Sequence, residues 1–440
     1  LRVRQVIGDH VGKVTGGEHI TRGMGLSMGV SSFAIALEDK AASPPPPPAL
    51  PVECPGYKPG TTQIVGERAG KRVARAFESY NNDLIDEALE TLIEIDPSDS
   101  FDAAYVNRFI GNIMATIDGR GQEAKGYLVK AVQQKELNDS EHAGTLRLLG
   151  DLSLQEKEYQ DAINWYNKWM DFTCKQDPDI YTRIAQAYYE LKQLDKIIAP
   201  ADKAIALYKE PNKNPYVLKL TSYYERKLYP DTVKVAEELV RQFPDNKQWW
   251  SQLGFFYMLV EDFKRALSTF EMAYAQGYLT KVSEIKALAQ LYSTSDIPHK
   301  AALILEKHIE SGLIEKTETN YSQLANAFHS AKYHATAAKY YGIAAAINND
   351  ADLWRKQGVL LLSAEDYKGA VVALEKSLEA GPEDEGRVQF ALMEANFYQN
   401  KFRTAYKHAL EAKKFPSVRR NANAWSPYIK DKAKNRGIKI

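Results

Sequence analysis

A small side chain recurs at a nearly constant interval through most of this 440-residue chain. Successive occurrences are separated by about 35 residues, a period typical of arrays built from one repeated supersecondary unit. Such an array replaces the two or three separate domains that the length alone suggests. The recurring positions are Gly111, Gly150, Ala185, Thr221, Gly254, Ala289, Ala325, Gly358 and Met393.

The clearest unit surrounds Gly254. It contains Trp250, Leu253, Gly254 and Tyr257, followed by Ala266, Phe270 and Ala273. These spacings match the tetratricopeptide (TPR) pattern W-x2-L-G-x2-Y…A-x3-F, with the apolar residues on one face of each of two helices. We therefore predict an all-α fold: a TPR solenoid, a right-handed superhelix of nine to ten helix-turn-helix repeats.

The repeats predict the extent of the solenoid. A degenerate tenth helix pair is expected over residues 71–97, so we place the solenoid at 69–418. The segment 419–440 is expected to be a basic C-terminal tail or a capping helix. Because a TPR unit presents its first helix to a shared groove, the predicted function is binding of an extended peptide or a partner helix there.

The N-terminal region carries two further expectations. Residues 1–36 end in Ala34-Ile35-Ala36, a small-x-small pattern that indicates a secretory signal peptide; the alternative is a disordered extension. Residues 37–68 form a proline-rich linker in which Pro44–Pro48 predicts polyproline II. The sharper alternative for that run is a ligand for a proline-recognising groove.

Charge is balanced overall but not along the chain. Fifty-seven basic and 57 acidic residues give zero net charge, which argues against a protein whose whole surface binds nucleic acid or an anionic membrane. The last 40 residues carry 12 basic and two acidic residues, so the rest of the chain is correspondingly acidic. This basic end predicts either a weak contact with anionic groups of the cell envelope or a soluble cap.

Sequence motifs for phosphate binding, a nucleophile elbow or a zinc-binding helix are absent from the chain. We therefore predict no enzyme, no cofactor and no metal; His329 and His334 lack a third ligand at metal-site spacing. Cys54 and Cys174 either pair in a disulfide, if the chain is exported, or remain two thiols. Pairing would attach the linker to the solenoid.

The groove residues follow from the repeat register, because positions five, nine and twelve of each first helix face inward in this repeat type. TPR co-chaperones clamp a carboxylate with lysine at position five and asparagine at position nine. Here Lys286 is followed by Gln290, and Asn326 is preceded by Ser322, so that clamp is incomplete. The predicted groove residues are Arg147, Asp151, Thr182, Gln186, Tyr189, Ser251, Phe255, Met258, Lys286, Gln290, Ser322, Asn326, His329 and Arg355.

Part of the chain resembles a known family. The Trp-bearing repeat, Tyr278-Leu279-Thr280, the helix at 285–292 and the segments at 61–63 and 424–425 are similar to periplasmic TPR proteins encoded beside TonB, ExbB and ExbD in gammaproteobacteria. The resemblance implies a periplasmic, non-enzymatic accessory of TonB-dependent uptake of iron complexes or other nutrients, whose partner is a component of that system. The alternatives are a scaffold for cell-wall or secretion machinery, and a cytoplasmic adaptor if the signal peptide is false.

Overall fold

The computed structural model of the chain describes residues 50–97, 99–133 and 135–440. The predicted signal peptide, 1–36, and the run Pro44–Pro48 lie outside these residues. The described residues form helices and short connections, with no strand among them, so the all-α prediction is confirmed. None of the helices in these ranges combines the length and the apolar character needed to cross a bilayer.

The chain divides into two compact units between Phe243 and Pro244. We call residues 50–243 the N-terminal unit and residues 244–440 the C-terminal unit. The helices of the N-terminal unit are α1 (Glu67–Asn81), α2 (Ile85–Ile93), α3 (Ser100–Met114), α4 (Gly121–Gln133), α5 (Asp139–Gln155), α6 (Tyr159–Thr173), α7 (Pro178–Glu190), α8 (Ile198–Leu207), α9 (Lys213–Glu225) and α10 (Tyr229–Gln242). A short 3-10 turn, Leu194–Ile197, leads into α8.

The C-terminal unit continues the same pattern. Its helices are α11 (Lys247–Leu259), α12 (Phe263–Ala275), α13 (Val282–Thr294), α14 (Pro298–Glu310), α15 (Glu318–Ser330), α16 (His334–Asn348), α17 (Ala351–Ser363), α18 (Tyr367–Ala380), α19 (Glu385–Tyr398), α20 (Phe402–Ala412) and α21 (Arg419–Asn435). Odd-numbered helices up to α19 are first helices, and each packs against the helix that follows it. The boundary between the two units falls between the fifth and sixth helix pairs, and the extent of the array over 69–418 stays a prediction.

Several first helices begin at a polar residue that caps them. The Asp177 carboxylate accepts a hydrogen bond from the main-chain N–H of Asp179, and Asp350 accepts one from that of Leu353. Thr317 and Asp99 cap α15 and α3 in the same manner. A capping side chain satisfies an N–H that the helix itself leaves without a partner, which fixes where the helix starts.

The recurring small residues lie where first and second helices approach most closely. A Cβ added to Gly150 would lie 2.5 Å from a ring carbon of Tyr166, and one added to Gly254 would lie 2.5 Å from the ring of Phe270. The partner residue stands sixteen positions later in both pairs. In these two pairs the small residue therefore allows the two backbones to approach, with an aromatic ring beside it.

The repeat register is wrong by one residue in the fifth pair. By the bounds of α9, the position that matches Gly254 in α11 is Leu220 rather than Thr221. Sixteen residues later this pair has Ala236, so the first helix carries a large residue and the second a small one, and both are buried. Met393 and Ala409 show the same exchange in the tenth pair and share one buried cluster. Conserving the summed volume explains why a small residue is not required in these pairs.

A single residue in left-handed conformation turns the chain between the helices of most pairs. Lys332, for example, has φ 68° between α15 and α16, and Glu261 has φ 62° between α11 and α12. A side chain disfavours this conformation by roughly 1 kcal/mol relative to glycine. The short connection places the second helix directly against the first. The packing between the two helices offsets the cost of the left-handed conformation.

The segment 50–66, which we call the strap, crosses the N-terminal unit before α1. Cys54 forms a disulfide with Cys174, which follows α6, and the N–H of Glu53 donates to the carbonyl of Thr173 at 2.8 Å. The Tyr57 hydroxyl donates to Asp139 at 2.7 Å. The strap, which precedes α1, is thereby fixed to the start of α5 and to the end of α6.

The last helix, α21, covers the tenth pair. Ile429 and Ala433 are fully buried in a cluster that also contains Met393, Phe402 and Ala409. The other side of α21 is exposed and carries lysines and arginines. A terminal helix with one apolar and one polar side closes the apolar end of a stack of repeats.

Candidate protein-binding face

Positions five, nine and twelve of the first helices form what we call the first-helix face. Its residues differ in exposure and in hydrogen-bond partners. Because the two units are separate compact bodies, each carries its own part of the face.

In the N-terminal unit, Arg147 and Asp151 are engaged with the next pair. Arg147 donates to the Asp177 carboxylate at 2.8 Å, and Asp151 forms an ion pair with Arg183. Asp151 also accepts a hydrogen bond from Tyr166 at 2.6 Å. These half-buried contacts tie α5 to α7, so the primary role of Arg147 and Asp151 in the structure is to join neighbouring repeats.

The predicted residues of α7 are half-buried. The Thr182 hydroxyl donates to the carbonyl of Pro178 at 2.8 Å, which satisfies it within its own helix. Tyr189 lies under the ammonium group of Lys192, which is 4.5 Å from the ring centroid. Gln186 lies one turn before Tyr189. Because both side chains are half-buried, they leave only a limited polar surface for a partner.

The structure corrects the prediction that the three residues on α11 are accessible groove residues. Ser251, Phe255 and Met258 have exposed fractions of 1%, 3% and 7%, so a partner cannot reach them in this structure. The Ser251 hydroxyl donates to Glu284 at 2.7 Å, and the Phe255 ring meets that of Phe270 edge to face. The register rule predicts the direction of these side chains but not that neighbouring side chains cover them.

On α13 the structure leaves a lysine without an acidic partner. The Lys286 ammonium group donates to the Asn320 side-chain oxygen at 2.6 Å, and Lys286 forms no ion pair with any described residue. Burial lowers the pKa of Lys286, because a half-buried ammonium group loses part of its hydration. Gln290, one turn later, is exposed.

The next first helix, α15, continues this polar surface. Ser322 is half-buried, while Asn326 and His329 are exposed. The Asn326 side-chain oxygen accepts a hydrogen bond from the Tyr341 hydroxyl, which fixes the orientation of the amide. Burial, together with the nearby His334, lowers the pKa of His329.

Arg355 on α17 is held by its own helix. Its guanidinium donates twice to the Asp352 carboxylate, at 2.6 and 3.0 Å. The same carboxylate pairs with Lys356 at 2.9 Å. The pairing explains why the pKa of Asp352 is lowered although burial opposes it.

The three consecutive first helices α13, α15 and α17 therefore hold the most accessible part of the predicted face. We call this part the amide face, because two exposed side-chain amides occupy position nine of successive pairs. Sequence reasoning missed Asn320 and Asp352, which hold Lys286 and Arg355, because neither lies at a groove position. The amide face consists of Lys286, Gln290, Ser322, Asn326, His329 and Arg355.

His329 and His334 lie close together, with ring centroids 5.7 Å apart. In the part of the chain that the structure describes, no third histidine, cysteine or carboxylate joins them as a metal ligand. Two imidazoles alone do not make the four-ligand set of a structural zinc site.

Comparisons with known proteins find other TPR repeat-containing proteins. No protein-family model matches the chain. A TPR repeat-containing protein of Methanocaldococcus jannaschii is 24% identical over 193 residues, which are 42% of this chain and 31% of that protein. This chain thus spans about a third of the length of that curated relative.

Two solved structures are similar to parts of the chain. The C-terminal part of a TPR repeat-containing protein from Cytophaga hutchinsonii has a TM-score of 0.35 at 17% identity, covering 54% of this chain and 96% of that one. YrrB, described as a TPR protein with an unusual peptide-binding site, has a TM-score of 0.34 at 18% identity, covering 46% and 99%. At these scores the likeness carries no argument about function.

Proposed function

We propose that this TPR repeat protein is a non-catalytic scaffold that binds an extended segment of a partner protein on the amide face. The observation that carries the proposal is the run of polar inward positions on the consecutive first helices α13 and α15, which Arg355 extends onto α17. TPR repeats act as protein–protein interaction scaffolds, and a preformed face of this kind binds a peptide without the cost of ordering itself.

The chemistry of the amide face favours a peptide main chain with an acidic group nearby. Gln290 and Asn326 each offer an amide that can donate to and accept from a peptide bond. Lys286 adds a partly desolvated positive charge without a carboxylate partner. A carboxylate of the bound segment would restore the interactions that Lys286 loses on burial.

We further propose that the protein works outside the cytoplasm, as a periplasmic accessory of TonB-dependent uptake of nutrients or iron complexes. The Cys54–Cys174 disulfide supports an oxidising compartment, since cytoplasmic thiols are kept reduced. The resemblance to TPR proteins encoded beside TonB, ExbB and ExbD supports the system. The partner on this account is the periplasmic segment of TonB or of ExbD.

The experiment is a binding titration with purified parts. The full chain is titrated with the periplasmic segments of TonB and of ExbD, and the titration is repeated with Gln290→Ala/Asn326→Ala. We expect saturable binding of one segment that the double substitution weakens at least about tenfold, the loss of roughly two hydrogen bonds. Lys368→Ala, an exposed change on α18, is the control and should leave binding unchanged.

Failure of both segments to bind would contradict the assignment to the TonB system. A scaffold for another envelope assembly would then be the alternative, and in-cell crosslinking from the amide face would distinguish the two.

A further inference from the structure

A long acidic stretch runs from the second half of α1 through α2 into α3, directly after four exposed basic residues of α1: Arg68, Lys71, Arg72 and Arg75. Between Ala76 and Asn107 there are nine aspartates and glutamates and no lysine or arginine. Most of the acidic residues on α2 and its flanks are exposed, including Glu90 and Glu94. Neither of these two side chains forms an ion pair with a described residue, although Arg72 donates to the main-chain carbonyl of Glu94. We call residues 76–107 the acidic end.

The last pair and α21 have the opposite charge. Residues 401–440 carry 12 basic and two acidic residues, and we call them the basic end. Lys430 and Lys434, one turn apart on the exposed side of α21, form no ion pair with any described residue. Lys414, by contrast, is paired with Glu411 at 2.5 Å.

The C-terminal end of α21 adds to the basic surface. Arg403 donates to the carbonyl of Lys439 at 2.8 Å, and Arg436 donates to the side-chain oxygen of Asn400. These contacts bring Arg403, at the start of α20, close to the cations that follow α21. Like charges that lie close together repel one another, and contact with a surface of opposite sign reduces this repulsion.

We propose that the acidic end of one molecule binds the basic end of a second copy of the same chain. The two segments are opposite in sign: residues 76–107 carry nine acidic and no basic residues, and residues 401–440 carry 12 basic and two acidic residues. Each also exposes apolar groups that a contact could bury: Leu84 and Ile93 are 50% and 53% exposed on the acidic end. Leu410 and Tyr428 are 42% and 47% exposed on the basic end.

The geometry of such a contact sets its consequences. The two surfaces differ, so the interface is heterologous and leaves one acidic and one basic surface unpaired in every dimer. Association therefore extends to longer assemblies, or closes into a ring, as concentration rises. It weakens as salt rises, because exposed charges are screened. The assembly would display several copies of the amide face together.

Sedimentation velocity of the full chain tests this proposal. The chain is compared over a concentration series from about 25 mM to about 500 mM NaCl, across which the Debye length shortens from roughly 20 Å to roughly 4 Å. Three variants are compared with it: Glu90→Lys/Glu94→Lys, Lys430→Glu/Lys434→Glu, and the control Lys264→Glu/Lys368→Glu. The control reverses two exposed lysines outside both ends.

We expect the unsubstituted chain and the control to associate at low salt, and each of the other variants to associate at least about tenfold more weakly. A chain carrying all four reversals at the two ends should associate again, because the two signs are exchanged. This rescue separates a lost contact from lost folding.

A mass of one chain at every salt concentration would overturn the proposal. Equal weakening by the control, or failure of the fourfold exchange to restore association, would overturn it as well. Binding of another acidic protein or of anionic vesicles by Lys430 and Lys434, without self-association, would instead assign the basic end to a different partner.

Discussion

The backbone of Gly150 on α5 lies against the ring of Tyr166 on α6, so that a Cβ at position 150 would be 2.5 Å from a ring carbon. Tyr166 is fully buried, and its hydroxyl donates to Asp151, the residue after the glycine. Asp151 in turn pairs with Arg183 of the next repeat. One close approach between two helices therefore also positions the polar link to the following pair.

Gly150→Ala should destabilise the N-terminal unit by about 2 kcal/mol, because the added methyl overpacks a site without room. Gly144→Ala on the same helix is the matched control. A Cβ at position 144 meets no atom within 4 Å, so the change should stabilise by roughly 0.5 to 1 kcal/mol through helix propensity. Urea unfolding followed by circular dichroism measures both. Equal effects of the two substitutions would show that the contact with Tyr166 does not constrain position 150.

Replacing the left-handed residue of a turn with glycine should stabilise the repeat around it. Lys332→Gly removes the strain of a φ of 68° between α15 and α16, and we expect a gain of about 1 kcal/mol. Glu375→Gly, an exposed position in the middle of α18, should lose about 1 kcal/mol because glycine is a poor helix former. Thermal unfolding of both variants checks the opposite signs, and a loss of stability in Lys332→Gly would contradict the argument.

The strap should depend on its disulfide. Its bridge joins residues 120 positions apart, and removing such a cross-link typically costs 2–5 kcal/mol. We expect dithiothreitol to lower the stability of the N-terminal unit and to speed amide exchange at Glu53, which donates to Thr173. Cys54→Ala/Cys174→Ala should be equally destabilised and insensitive to dithiothreitol. An unsubstituted chain whose exchange is unchanged by reduction would show that hydrogen bonds alone hold the strap.

The N-terminal unit should lose stability in mild acid through His142. This residue is 4% exposed and packs against Phe172, and burial lowers the pKa of its imidazole. The nearby Lys135 lowers the pKa further, whereas Asp139 opposes the change. Because the folded state binds the proton more weakly than the unfolded state, the stabilisation is complete above about pH 6.5 and is lost as the pH falls below it.

His142→Phe should remove this pH dependence. No other histidine lies between residues 50 and 243, so amide exchange of α5 and α6, corrected for its intrinsic pH dependence, reports on this group. The substitution keeps a ring against Phe172. A variant as acid-sensitive as the original chain would assign the effect to carboxylates instead.

The fold could be predicted closely because the spacing of residues within each repeat indicates where its two helices lie. Trp250 to Ala273 define two helix faces, and the same spacing recurs often enough to place ten helix pairs. The register was wrong by one residue at Thr221, because Leu220 and Ala236 exchange volume between their helices. The left-handed turn residues were not predicted, since lysine and glutamate at these positions carry no mark of the conformation.

The site could be predicted only in outline. Position numbers indicate which side chains point inward, and the accessible residues Gln290, Asn326 and His329 were found in that way. Position numbers do not show what neighbouring repeats contribute. The burial of Phe255 and the ion pair of Asp151 could therefore be found only from the structure. The contacts of the strap with α5 and α6 join residues far apart in sequence, and no periodicity encodes them.

Photocrosslinking from the amide face tests the central claim most directly. A photoreactive amino acid is placed at Asn326 of the full chain in cells, and at Lys368 on the second helix of a neighbouring pair as the control. The account predicts one discrete protein adduct from position 326, lost when Lys286→Ala and Gln290→Ala are added, and no such adduct from position 368. No adduct at position 326, or the same adducts from both positions, would contradict a binding role for this face.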